Sequence, residues 1–111
     1  MKDNQIWKIY GTAYKEMTVR LLKSTDLAGR IRDRKRRICI KPNLVCPSPA
    51  DFGATTHPEI VAGIIEYLQE NGFENLMIAE GSWVGDRTSE AYEYCGYRSL
   101  SGTYGVPFID T

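Results

Sequence analysis

At 111 residues the chain has room for one modest hydrophobic core and excludes a second domain, since folding at this size buries about two thirds of the unfolded surface. Its 14 Lys and Arg offset 14 Asp and Glu, but unevenly: residues 1–41 carry 12 basic against 4 acidic side chains, and residues 42–111 carry 2 against 10. A split of +8 against −8 suits a polyanion partner for the first part, or two parts that face one another in the fold or in a homodimer.

In chain order, Ile6 to Tyr10 reads as a short first strand ended by Gly11, or as a loop that packs Trp7 and Tyr10 against the core. From Tyr14 to Lys23 the positions of Met17, Leu21 and Leu22, with Val19 nearby, predict an amphipathic helix capped near Thr12 and interrupted by Ser24, Thr25 and Asp26. The following DLAGRIRDRKRR packs six basic residues between Arg30 and Arg37. No aromatic side chain interleaves them and the run feeds straight into a strand, so it reads as a solvated surface, and no nucleic-acid partner is expected.

The strand is Ile38, Cys39 and Ile40, apolar on both faces as in a fully covered parallel strand. Pro42 cannot donate to a ladder and stops it, leaving Lys41 and Asn43 at the strand's mouth. Thr56, His57, Pro58 and Glu59 spell a T-x-x-E capping box, so a helix is expected to start at Thr56. Ile60, Val61, Ile64, Ile65 and Leu68 recur at helical spacing, with Gly72 as the stop. Leu76 to Ala79 reads as the next strand, followed by Glu80, Gly81 and Ser82. After a loop from Trp83 to Arg87, a short helix is expected from Thr88 and Ser89 through Tyr94, stopped by Gly96. A second helix from Tyr97 to Tyr104 and a strand from Val106 to Ile109 complete the pattern. Strands joined by helical crossovers imply an α/β fold: a three-layer, Rossmann-like parallel sheet of three to four strands with helices on both faces, here part of a larger domain.

The segments IKPNLV, GATTHPEIV, IAEGS and T-x-E-A-Y-E-x-x-G-Y, met in this order between Ile40 and Asp110, resemble the opening portion of the domain-of-unknown-function-362 family. The resemblance covers roughly two thirds of the chain, and serial agreement is more specific than any one motif. It implies that residues 1–111 are a single α/β domain, the N-terminal portion of a longer family domain. Longer members resemble iron-sulfur proteins in a later segment, which implies a redox or iron-sulfur partner, but no secure activity comes with the resemblance.

Cofactor and location follow from what is missing. Cys39, Cys46 and Cys95 have neither the spacing nor the number for a zinc site or an iron-sulfur cluster motif. Cys39 is expected in the core and the other two as reduced thiols. No apolar run approaches the length of a membrane span, and no apolar h-region follows Met1. No membrane is expected, and a cytoplasmic location is.

In an open parallel sheet, ligands bind beyond the carboxyl ends of the strands. The residues expected there as ligand-binding are Lys41, Asn43, Thr55, Thr56, His57, Glu80, Gly81, Ser82 and Thr88. The helix start supplies free N–H groups and a positive dipole end, Lys41 supplies charge, and a small anionic ligand, phosphate or carboxylate, fits them. Neither a P-loop nor a dinucleotide-binding glycine motif is present. A second constellation, His57 and Glu80 with Asp51 and Asp86, has donors suited to acid/base work or a divalent ion, but no spacing that demands either. Ser82 and Cys46 lack the flanking pattern of nucleophiles.

Overall fold

A computed structural model describes residues 5–42, 56–80 and 96–110. Its elements are α1 (Tyr14–Thr25), α2 (Leu27–Ile31), β1 (Ile38–Ile40), α3 (Pro58–Glu70), β2 (Leu76–Glu80), α4 (Tyr97–Tyr104) and β3 (Phe108–Asp110). The strands form a parallel sheet in the order β1-β2-β3, with Ile38 opposite Leu76, Ile40 opposite Ile78, Ile78 opposite Phe108 and Glu80 opposite Asp110. The α/β reading holds, because each strand's apolar residues need a crossover helix to cover them.

Strand alternation decides which residues are covered. Ile40, Leu76 and Ile78 are buried with Val61, Ile65 and Leu68 of α3 and Tyr97 and Leu100 of α4, and Ile38 and Phe108 pack against the same cluster. Fully burying side chains such as Ile78, Ile65 and Leu68 stabilises the fold by about 1.5–3 kcal/mol each. Cys39, Met77, Ala79 and Ile109 fall on the alternate face. There Cys39 is exposed and Ile109 is 42% exposed. Ala79 on the same face is buried and Met77 half-buried, so the correction falls on Cys39, which is expected in the core and is exposed at the edge strand β1.

α1 packs on α3 and not as deeply as α3 packs on the sheet, since none of its residues is fully buried. Close approach of the two helices rests on Gly63, where an added Cβ would lie 2.7 Å from the Lys15 carbonyl and 2.8 Å from Thr18 Cβ. Residues 5–10 form no strand. Ile6 and Tyr10 are exposed, while Ile9 lines an apolar groove with Tyr14, Met17, Leu21, Leu22, Ile60 and Ile64; the segment pairs with neither edge of the sheet, and β propensity alone does not make it a strand.

The helix ends show why some boundaries were legible. α3 closes in a Schellman pattern, with Gly72 N–H on the Gln69 carbonyl at 3.1 Å and Phe73 N–H on the Leu68 carbonyl at 2.9 Å. Gly72 has φ 87° and Phe73 is completely buried, as the expected stop requires. α4 spans the residues expected of it. The start of α1 is Ala13 and not Thr12, with no side-chain capping bond.

One helix was not anticipated. Asp26 turns into the left-handed region (φ 52°, ψ 50°), ends α1, and accepts the Gly29 N–H at 3.3 Å to start α2. Ser24 and Thr25, expected to interrupt the helix, instead belong to α1, and Asp26 alone both ends that helix and begins the next. Ala28, the buried residue of α2, donates its N–H to the Tyr67 hydroxyl at 2.9 Å.

Arg34 departs from the solvated-surface reading of its run. Its Nε donates to the Asn71 carbonyl at 2.8 Å, and its Nη1 to the carbonyls of Ala28 at 3.1 Å and Arg32 at 2.8 Å. The guanidinium also lies 4.7 Å from the Phe73 ring centroid. One five-donor fork thus ties the carboxyl ends of α2 and α3 together.

Candidate functional site

The carboxyl edge of the sheet is assembled by chain direction. β1 ends at Ile40, and Lys41 follows it as an exposed residue with Pro42 buried behind it. β2 and β3 end on Glu80 and Asp110, which are register partners. α3 returns to the amino edge, where Asn75 accepts the Ile38 N–H at 2.9 Å. A helix of 13 residues spans about 20 Å, the length of a strand, so its start lies back at the carboxyl edge.

That start is set by Pro58. Proline disfavours helical backbone at the residue before it, and His57 is extended at φ −63°, ψ 129°, making it the N-cap with Pro58 at N1. The capping box expected on Thr56 is therefore displaced by one residue: Glu59 stands at N2 instead of N3, and His57 makes no side-chain capping bond. Thr56 is held through its carbonyl, which accepts the hydroxyl of the fully buried Tyr97 at 2.9 Å. Tyr97 is thus a core residue. The His57 ring rests on Tyr14 of α1, with centroids 4.4 Å apart and planes at 44°.

Lys41, Thr56, His57 and Glu80 accordingly share one edge of the sheet. Asn43, Thr55, Gly81, Ser82 and Thr88 lie outside the described residues, as do Asp51, Asp86, Cys46, Cys95, Trp83 and the helix expected from Thr88 to Tyr94. Among the described residues no group of three or more His, Cys, Asp or Glu is placed to hold a metal ion. What the described residues of this edge offer chemically is the exposed cation Lys41 and the positive end of a helix dipole, equivalent to about half a charge. Glu59 in the first turn of that helix works against an anion.

A second cluster joins three helices. Lys15 of α1 lies 3.1 Å from the Glu66 carboxylate of α3, and Tyr104 of α4 donates its hydroxyl to the same carboxylate. The Tyr104 hydroxyl and then Lys15 hold Glu66 below the usual carboxylate range. Burial, then the Glu66 acceptor, pushes Tyr104 up to about 12. The three line or adjoin a cleft of about 350 Å³ that also includes Pro58, Glu59, Leu100 and Thr103. Sequence reasoning had no access to this cluster, because Tyr104 and Glu66 are 38 residues apart and neither lies in a motif. Its geometry is that of a tertiary fastening, with each polar group engaged by another.

Among the described residues no helix is long and apolar enough to cross a membrane. The family model described as Domain of unknown function (DUF362) matches residues 38–111, beginning on the first residue of β1 and leaving α1 and α2 outside the match. Neither a curated protein nor a solved structure matches the chain.

Proposed function

Because the chain belongs to the DUF362 family, a domain of unknown function, its role has to be read from its own residues, and we propose that it is a ligand-binding α/β domain with an anion site at the carboxyl edge of its sheet. The observation that carries this reading is the exposed Lys41 at the end of β1, on the same edge of the sheet as the amino terminus of α3. Lys41 provides the charge. The α3 start, with Thr56 and His57, provides donors, and Asn43, Thr55, Glu80, Gly81, Ser82 and Thr88 are the further residues this reading assigns to the ligand. Parallel α/β sheets bind ligands at this edge because helix amino termini and strand ends converge there. A phosphate or carboxylate of metabolite size suits one lysine and one helix terminus.

Differential scanning fluorimetry with inorganic phosphate and citrate tests it. Wild type is expected to gain thermal stability with at least one of these, and Lys41→Ala to lose that gain. Equal responses of the two proteins to every anion would sink the reading.

A further inference from the structure

The basic run from Arg30 to Arg37 divides into two roles. After α2 the chain reverses through Arg32, which has φ 67° and ψ −61°, with the Asp33 N–H donating to the Ile31 carbonyl at 2.9 Å. This is a γ-turn of the rarer, positive-φ kind, a conformation that residues with a Cβ avoid. Arg34 holds it closed from within, through its bonds to the Ala28 and Arg32 carbonyls. With the Arg34 guanidinium engaged by main-chain carbonyls, Arg30, Arg32 and Arg36, all exposed, line one concavity of about 630 Å³. Thr25, Asp26, Gly29 and Ile31 complete its lining.

Charge, shape and strain point the same way. Three guanidinium groups stand against one carboxylate, and the Asp26 carboxylate already accepts the Gly29 N–H. A non-glycine residue kept at positive φ on the rim of a cavity is the kind of strain that accumulates where a side chain must be aimed. The volume falls in the range of small-ligand sites. Guanidinium forks match the oxygen pairs of phosphate groups, which a lysine ammonium does as a single point charge. No aromatic side chain is among the lining residues, so there is no platform on which a nucleobase would stack.

We propose that this concavity binds a compact oligophosphate, a chain of two or more phosphoryl groups, gripped by Arg30, Arg32 and Arg36. The site lies at the amino edge of the sheet, just before β1, at the opposite end from Lys41. It belongs to the part of the chain that precedes the family match at residue 38. It therefore stands independently of the sheet-edge reading.

The test is calorimetric titration of the full chain with sodium tripolyphosphate, at low salt and at about 0.15 M, where exposed charges are screened beyond about 8 Å. A saturable site that survives Lys41→Ala is expected. Arg32→Gln and Arg36→Gln should each weaken binding about tenfold, as loss of a charge-assisted fork implies, with unchanged melting temperature because both residues are exposed. Lys35→Gln, an exposed basic neighbour outside the lining, should stay within about twofold of wild type. Lys41→Ala should leave tripolyphosphate binding intact at this site. In a nitrogen–proton correlation spectrum, the amides of Gly29 and Arg32 should move on titration. Absence of saturable binding, or a loss in Lys35→Gln equal to that in Arg32→Gln, would overturn the proposal. So would binding of a polynucleotide that tripolyphosphate fails to displace.

Discussion

The two edges of this short parallel sheet are finished in opposite ways. At the amino edge the main chain is closed on itself: α3 ends in its Schellman pattern, the Asn75 carbonyl accepts the Ile38 N–H, and Arg34 gathers the carbonyls of Ala28, Arg32 and Asn71. At the carboxyl edge β1 gives way at once to exposed Lys41, and α3 starts on His57 with no side-chain capping bond. Arginine serves the first edge because its donors reach several carbonyls from one plane, whereas the lysine ammonium at the second is a compact point charge. The same charge class thus acts as mortar at one end and as a presented group at the other.

The largest test of that contrast is Arg34→Ala. It removes three hydrogen bonds and the contact over Phe73, and it leaves carbonyls at two helix ends in need of new partners. A loss of about 3 kcal/mol in denaturant unfolding is expected. Arg34→Lys should recover less than half of it, because an ammonium cannot span α2, the γ-turn and α3 together. A loss below about 0.5 kcal/mol, the range of ordinary surface substitutions, would mean that the Arg34 bonds contribute no more to folding than its exposed neighbours do.

Tyr97→Phe makes the matching cut at the carboxyl edge. The ring remains buried, but the Thr56 carbonyl loses the 2.9 Å bond that fixes the chain just before α3. About 1–2 kcal/mol is expected for a lost hydrogen bond at a partly buried acceptor. Amide hydrogen exchange should rise in the first turn of α3 and stay unchanged near Gly72. If exchange rose equally at both ends of α3, the two edges would not be independent.

What the sequence disclosed follows the same division. Periodicity and glycine placement found α3, α4 and the stop at Gly72, because burial of Val61, Ile65 and Leu68 and the left-handed backbone at Gly72 leave local marks. Strand cores were found for the same reason, although β3 begins at Phe108, two residues after the expected start. Pro58 fixed His57, and not Thr56, as the cap, a steric effect on the preceding residue that outranked the T-x-x-E pattern. The exposure of Cys39 was not legible. A three-residue apolar strand reads alike whether one face or both are covered. Arg34 was not separable from Arg30, Arg32 and Arg36 by composition, since its partners at Asn71 and Phe73 are nearly forty positions away. At the candidate site, Lys41 and Glu80 were legible as residues at strand ends, while the resting of His57 on Tyr14 depends on how α1 packs across α3.

Between the edges, the Lys15–Glu66–Tyr104 cluster supplies a smaller and pH-dependent effect. Glu66 is held below its ordinary value of 4.5. Its contribution is therefore complete above the unfolded value and is lost as pH falls through the lowered folded one. Tyr104 is raised from 10.0 to about 12. Its contribution is complete below 10 and is lost as pH rises toward 12. Urea unfolding across this range should show a plateau at neutral pH with both flanks falling. Glu66→Gln should flatten the acid flank by about 1 kcal/mol, discounted because Lys15 is about half exposed. An unchanged acid flank would show that the carboxylate is not held by Tyr104 in solution.

Lys41→Ala should have the smallest effect on stability and the most specific effect on binding. An exposed side chain one residue beyond a strand contributes within about 0.5 kcal/mol to folding, so its melting temperature without added anion should match wild type. If Lys41 instead proves as costly to remove as Tyr97→Phe, then it acts in the fold as Arg34 does, and the contrast between the edges fails. If stability is untouched, any loss of the phosphate or citrate response can be assigned to binding alone. Raising salt sharpens the separation further. A response that depends on one exposed lysine and a helix terminus should shrink steeply as ionic strength rises, while the Arg34 contribution, made through short bonds to carbonyls, should change little.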